Sequence, residues 1–128
     1  MMHLVLVYGT LRKGESNNFL LEECAYLGEE ATVDRFVLNS SGYIPFVDRP
    51  SNHNVDRAGH IVGDLYLVHT SRQMQALDNL EGHPHSYCRE LVRISDDREA
   101  WMYLHDYAHS NPAHPDSNNL LRHPKARA

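Results

Sequence analysis

The sequence predicts a single α+β domain built on a curled, mainly antiparallel sheet. Three observations carry that expectation. The chain has 128 residues, enough for one domain with a true core and too few for two of ordinary size. Segments rich in Val, Ile, Leu and Tyr outnumber helical ones and do not alternate regularly with them, which argues against a parallel doubly wound sheet. Two of those segments, 87–94 and 100–107, face each other across Ser95-Asp96-Asp97-Arg98, a hairpin by composition.

The totals narrow the function classes. A content of 41% hydrophobic and 23% charged residues is ordinary for a globular protein. The formal net charge of -5 argues against nucleic acid as a partner, since that needs a basic face. No apolar run approaches the roughly 20 residues of a membrane span. Met1-Met2-His3 carries no Lys or Arg, and the apolar run behind it is too short for a signal peptide. Cys24 and Cys88 are far apart and lack a Cys-x-x-Cys spacing, so neither a disulfide framework nor a thiolate metal site is expected. The expected setting is reducing and cytoplasmic.

In chain order, Leu4-Val5-Leu6-Val7 is too short an aliphatic run for an ordinary helix and reads as a buried strand. It runs into Tyr8-Gly9-Thr10-Leu11, where Gly9 allows a sharp turn and close approach of a ligand. Ser16-Asn17-Asn18 supplies candidate caps for a short amphipathic helix over 18–25. A long bent strand is expected over 30–38, a turn at Asn39-Ser40-Ser41-Gly42, an edge strand over 43–47 that tolerates Pro45, and a polar loop over 48–59. Residues 60–68 form the clearest strand. Thr70 and Gln73 stand at capping-box spacing. The helix they open presents Met74, Leu77 and Leu80 on one side, and Gly82 stops it. Residues 1–107 are expected to be the domain. Residues 108–128, with three prolines and many Asn, Ser and His, are expected to be a loosely ordered tail.

Two stretches carry chemistry. A strand, a small-residue turn and a helix start together present backbone N–H groups in one place, which suits a carboxylate or a developing oxyanion. A turn that merely redirects the chain has the same composition. The second stretch is Leu77 to Arg89. Glu81 falls at the C-terminal end of its helix, where the macrodipole disfavours a negative charge. Enclosure would add desolvation, and both effects raise its pKa toward that of a general base able to return the proton as an acid. A solvated Glu at a helix end is the plain alternative. Asp78, three residues earlier, either pairs with Glu81 on the helix face, caps the turn or bonds its own backbone. Arg89 either anchors an anionic group of a substrate or pairs with Asp78 or Glu81. His83 and His85 are two apart and His105 and His109 four apart, with no partner at a zinc spacing, so surface histidines are expected rather than a metal site. Cys88, between Tyr87 and Arg89 on a strand, reads as a small core residue rather than a nucleophile.

Taken as an ordered set, these pieces resemble the γ-glutamylcyclotransferase-like superfamily, in its AIG2-like or γ-glutamylamine cyclotransferase branch. The matching pieces are Val7-Tyr8-Gly9-Thr10-Leu11-Arg12-Lys13-Gly14 with Asn17; Ala25-Tyr26-Leu27-Gly28; Gly42-Tyr43 with Pro45; Val62-Gly63-Asp64-Leu65-Tyr66; and Leu77-Asp78-Asn79-Leu80-Glu81-Gly82 followed by Pro84, Tyr87 and Arg89. Ile44 separates a Tyr and Pro that the family usually has adjacent, and Asp64 stands where Glu is commoner. The resemblance implies a small, mixed, mainly antiparallel β-barrel with flanking helices and a cavity at its mouth. It implies that Tyr8, Gly9, Thr10 and Leu11 hold the glutamyl group through backbone N–H groups, with Tyr43, Tyr87 and Arg89 as further substrate-binding candidates. It implies that Glu81 is the catalytic acid/base in an attack of a γ-glutamyl α-amine on its own γ-carbonyl, giving 5-oxoproline and a free amine or amino acid.

The chemistry of the residues agrees. Nucleophile and electrophile share one molecule, so the protein need only fold the substrate into a near-attack geometry, and one carboxylate of raised pKa can move the protons. No metal, cofactor or nucleophilic side chain is required, in a chain without a Gly-x-Ser-x-Gly elbow or a dinucleotide fingerprint. The competing reading is a binding module that holds a small acidic or amide-bearing ligand without turning it over. A buried carboxylate in the pocket gains an anion binder nothing, which favours the enzyme. A third reading, docking of the tail through Arg122, Lys125 and Arg127, offers too few charges for nucleic acid. Leaving-group selectivity is expected to lie in the loops over 43–59.

Overall fold

The computed structural model describes residues 2–41, 44–105 and 120–121. Strand β1 (His3–Val7) lies inside a sheet with β2 (Ala25–Ala31), β5 (His60–Val68), β7 (Glu99–Leu104) and β6 (Cys88–Arg93), in the order β2-β5-β1-β7-β6. Among these five strands the pairings are antiparallel except that of β1 with β7, which is parallel. Strands β3 (Val37–Ser41) and β4 (Ile44–Asp48) form a separate antiparallel pair. The α-helix α1 (Ser71–Glu81) links β5 to β6.

The aliphatic run of β1 does not alternate with polar residues because both its faces are covered. Leu6 points into the hollow of the curled sheet with Leu65, Met102, Leu104, Leu38 and Val47. Val5 and Val7 join Tyr66, Val68 and Tyr103 on the outer face, where Met74 and Leu77 of α1 pack with Leu21. Leu77 has no solvent exposure, and truncating such a residue to Ala costs about 2–5 kcal/mol. That burial fixes the helix against the sheet and therefore fixes where its last residue lies.

Several expectations change in the folded chain. The helix expected over 18–25 shrinks to a 3-10 turn, Asn18–Leu21. Eight residues form a marginal helix without strong packing, and Ala25 and Tyr26 are drawn into pairing with Leu67 and Tyr66 of β5. The single strand expected over 30–38 is two. The Thr32 hydroxyl accepts the Ile61 amide at 2.9 Å while the Thr32 amide donates to the Ile61 carbonyl at 2.9 Å, so a side chain replaces a backbone partner and the ladder ends. Asn39 to Ser41, expected in a turn, belong to β3. The barrel is not closed: among the described residues no ladder joins β2 to β6, and those edges meet at one end through one backbone hydrogen bond, from the Val33 amide to the Arg93 carbonyl at 2.8 Å, and the side-chain pairs Arg93–Asp34 and Arg98–Glu30. Within the stretch expected to be a loose tail, Leu120–Leu121 form a short strand, β8, parallel to His60 and Ile61, and Leu121 is fully buried. These two residues thus pack against β5; the rest of 106–128 lies outside the described residues. Strand β5, the capping box, Gly82 and the hairpin stand as expected. Among the described residues no helix is long and apolar enough to cross a membrane.

Candidate active site

A cavity of about 310 Å³ opens where β1 leaves the sheet. Residues 6–11 and Asn17 form one wall, Pro45 of β4 another, Leu80 and Glu81 at the end of α1 a third, and Tyr87 and Tyr103 close it.

The turn after β1 is held by its carbonyls and from behind. The Gly9 carbonyl accepts the Arg12 amide at 3.0 Å, the Thr10 carbonyl accepts the Asn17 amide at 2.9 Å, and the Leu11 carbonyl accepts Nδ2 of Asn18 at 2.8 Å. Nδ2 of Asn17 also donates to the Thr10 hydroxyl, 2.8 Å. Behind these, Arg12 is only 2% exposed and donates from Nη2 to Asp64 at 3.0 Å and Glu29 at 2.7 Å, while Asp64 also accepts the Lys13 amide at 2.8 Å. With the carbonyls engaged, the Gly9, Thr10 and Leu11 amides are what the turn has left to offer. Among the described residues they donate no hydrogen bond. Gly9 is needed for space: a Cβ there would come within 2.6 Å of Pro45 Cγ.

Glu81 is placed by the way its helix ends. Thr70 and Gln73 complete the capping box at the start. At the far end Gly82 takes the left-handed conformation (φ 69°), its amide donating to the Asn79 carbonyl and that of His83 to the Asp78 carbonyl, the Schellman pattern. The helix therefore stops with Glu81 half-buried at the cavity wall. Burial pushes its pKa up from 4.5 to about 7. Among the described residues nothing donates a hydrogen bond to that carboxylate, so nothing offsets the desolvation of the charged form.

Three phenols line the cavity with it. Tyr8 donates to the Tyr103 carbonyl at 2.8 Å, and Tyr103 donates to Oδ1 of Asp78 at 2.7 Å. All three tyrosines have pKa values raised by burial, with the Glu81 charge contributing in each case and, for Tyr103, the hydrogen bond to Asp78 ranking second.

Of the residues expected at the site, Tyr8, Gly9, Thr10, Leu11, Glu81 and Tyr87 are brought together. Arg89 is not: its Nε donates to Asp78 at 2.9 Å, its guanidinium stacks 4.5 Å from the Trp101 ring centroid, and it does not line the cavity. Asp78 correspondingly faces Arg89 and Tyr103 rather than forming a carboxylate pair with Glu81. Tyr43 lies outside the described residues. Leu80, expected on the core side of the helix, is 42% exposed and lines the cavity. Tyr103 and Pro45 line it without having been singled out as binding residues, because only the strand register shows which way Tyr103 faces. His83 accepts the Arg89 amide at Nδ1, 3.2 Å, and His105 packs between the Phe46 and Tyr87 rings. Among the described residues no three His, Cys, Asp or Glu side chains gather as a ligand set.

Comparison with known proteins bears on this geometry. The family model described as "Gamma-glutamyl cyclotransferase, AIG2-like" matches residues 5–121. Proteins from Vibrio cholerae and Methanocaldococcus jannaschii, both named as "Putative gamma-glutamylcyclotransferase", are 36% and 34% identical, over 85% and 81% of this chain and 87% and 85% of their own lengths. Among solved structures, an AIG2-like protein from Mus musculus superposes with a TM-score of 0.69 at 26% identity, covering 84% of this chain and 80% of that one. An uncharacterised Pyrococcus horikoshii protein shares the fold at a TM-score of 0.69 and 19% identity, over 87% and 85% of the two chains. A match that takes in the turn, the helix end and both hairpin strands, with relatives aligned over most of their length, means that the chain belongs to the gamma-glutamyl cyclotransferase, AIG2-like family.

Proposed function

We propose that the protein is a γ-glutamylcyclotransferase that converts a small γ-glutamyl amine or amino acid to 5-oxoproline and the free amine, with Glu81 as general acid/base. The observation that carries this reading is the Glu81 carboxyl group, raised to about 7, lining one cavity with Gly9, Thr10 and Leu11, whose backbone amides donate no hydrogen bond among the described residues.

In this reading Glu81 takes a proton from the substrate's α-ammonium, and the freed amine attacks the γ-carbonyl carbon. A C–N bond forms and the carbonyl electron pair moves onto oxygen, where the Gly9, Thr10 and Leu11 amides meet it. Glu81 returns its proton to the departing nitrogen as the original C–N bond breaks. The remaining excess proton on the ring nitrogen leaves by the same route, so the amine departs as an ammonium. The apolar lining (Leu6, Val7, Leu11, Pro45) keeps water from competing for the carbonyl. The two free cysteines are in keeping with a cytoplasmic setting, which is part of the proposal.

Glu81→Gln is expected to fold normally and to lower 5-oxoproline release by at least 10²–10⁴-fold, the scale of general acid–base assistance. The wild-type rate is expected to rise with pH through about 7, as Glu81 loses its proton. The assay is 5-oxoproline release from γ-glutamyl-ε-lysine, γ-glutamyl amino acids and γ-glutamyl polyamine adducts. Binding of these compounds without any turnover would replace the enzyme by a binding module.

A further inference from the structure

Helix α1 carries two carboxylates three residues apart, Asp78 and Glu81, and the fold treats them differently. Side chains at this spacing lie on one face with Cβ atoms about 5–6 Å apart, close enough for each charge to disfavour the other. Asp78 is 7% exposed and its Oδ1 takes both Arg89 Nε, 2.9 Å, and the Tyr103 hydroxyl, 2.7 Å. Arg89 is held in turn by the Trp101 face at 4.5 Å, and the indole Nε1 donates to His3 Nδ1 at 3.4 Å. Glu81 has the cavity in front of it. The charged and titratable groups around it are Asp78 on its own helix, Tyr8 after β1, Tyr87 before β6, Tyr103 on β7 and Arg89 on β6, with Asp48 of β4 beyond Tyr8 and Tyr87. Arg89 is the cation of that set, and it is spent on Asp78.

We propose that the Asp78–Arg89 pair is a positioning unit for the site: it cancels the second carboxylate's charge one turn below Glu81 and pins Tyr103 to the cavity wall, leaving Glu81 as the one carboxyl group that exchanges protons with the ligand. This rests on the cyclotransferase reading of Glu81. Giving two neighbouring carboxyl groups different surroundings is a way for a fold to assign a single proton carrier. Here the asymmetry is built from a cation and a phenol on two strands of one hairpin, β6 and β7.

The test is direct titration of the Glu81 carboxyl by ¹³C NMR, with Glu81→Gln as the assignment control, so it does not depend on catalysis. In Arg89→Met the Asp78 charge is uncompensated and the Glu81 midpoint is expected to rise by about one unit. In Asp78→Asn, Arg89 is left without its anion and the midpoint is expected to fall by a similar amount. Arg89→Lys is expected to restore most of the wild-type value. A merely structural role would loosen the site in both variants, admit water and lower both midpoints toward 4.5. Midpoints that fall together, or that stay at the wild-type value in both, overturn the proposal. Asp78→Asn keeps the shape of the side chain and supplies the comparison should Arg89→Met fail to fold. Where 5-oxoproline release is measurable, the rising limb of the pH–rate profile is expected to move with the NMR midpoint. Absence of turnover with the opposite-signed NMR shifts intact would count against the cyclotransferase reading alone.

Discussion

A single carboxyl group shows most clearly how position creates chemistry. Glu81 meets two features that disfavour its charge, the end of a helix and a cavity with apolar walls. Its raised pKa is also a statement about stability. Between 4.5 and about 7 the folded protein holds a proton that the unfolded chain releases, so stability is fully present below 4.5 and is lost as pH rises through 7. Glu81→Gln removes that penalty. The variant is therefore expected to be more stable than wild type at pH 8 and nearly equal to it at pH 4, as read by urea midpoints at the two pH values. A variant equal to wild type at pH 8 would mean that Glu81 is solvated. At this scale Glu81 was legible in the sequence because a helix period and a stopping glycine suffice to place it. Tyr103 was not, since its neighbours Met102 and Leu104 are equally buried and hydrophobicity does not say which residue faces which side.

Helix α1 is the element on which the site depends. Its start is fixed by Thr70 and Gln73, whose side chains and backbones bond reciprocally at 3.1 and 3.0 Å. Thr70→Ala is expected to cost about 1 kcal/mol in chemical denaturation and to leave the Glu81 titration unchanged, because Leu77 and Gly82 still fix the far end. A shifted Glu81 midpoint in that variant would show that the start of the helix sets the position of its end. The capping signals made this element readable with its boundaries. The segment over 18–25 has comparable cap residues and failed as a helix, because β5 offered Ala25 and Tyr26 a ladder. Local preference wins where nothing longer-ranged competes and loses where an unpaired strand edge does.

For the molecule as a whole, the cavity exists because two packed layers and a curled sheet meet at one corner. The buried Arg12–Asp64 pair ties the turn after β1 to β5, while the outer core ties α1 to the same strands. On the inner side, Leu121 of β8 fills the hollow beside Ile61 with no solvent exposure. Leu121→Ala is expected to destabilise the fold by about 2–5 kcal/mol in urea unfolding. A loss of a few tenths of a kcal/mol, the scale of a surface change, would show that β8 does not belong to the domain. The stretch containing Leu121 reads as a tail because two apolar residues among prolines, asparagines and histidines carry no periodicity.

The sequence by itself determined the elements that announce themselves locally: β1 and β5 by their aliphatic runs, α1 by its caps, the hairpin by its aspartates, and with them the turn and the carboxylate that line the cavity. Only the tertiary structure decided the partners. It gave Arg89 to Asp78 instead of to the cavity, left the sheet open, split 30–38 into two strands and brought Leu121 into the core. Caps, turns and periodicity are written within a few residues of one another. A partner across a sheet is selected by register and burial among residues as much as 98 positions apart, as Trp101 and His3 are, and no short window of sequence contains that choice.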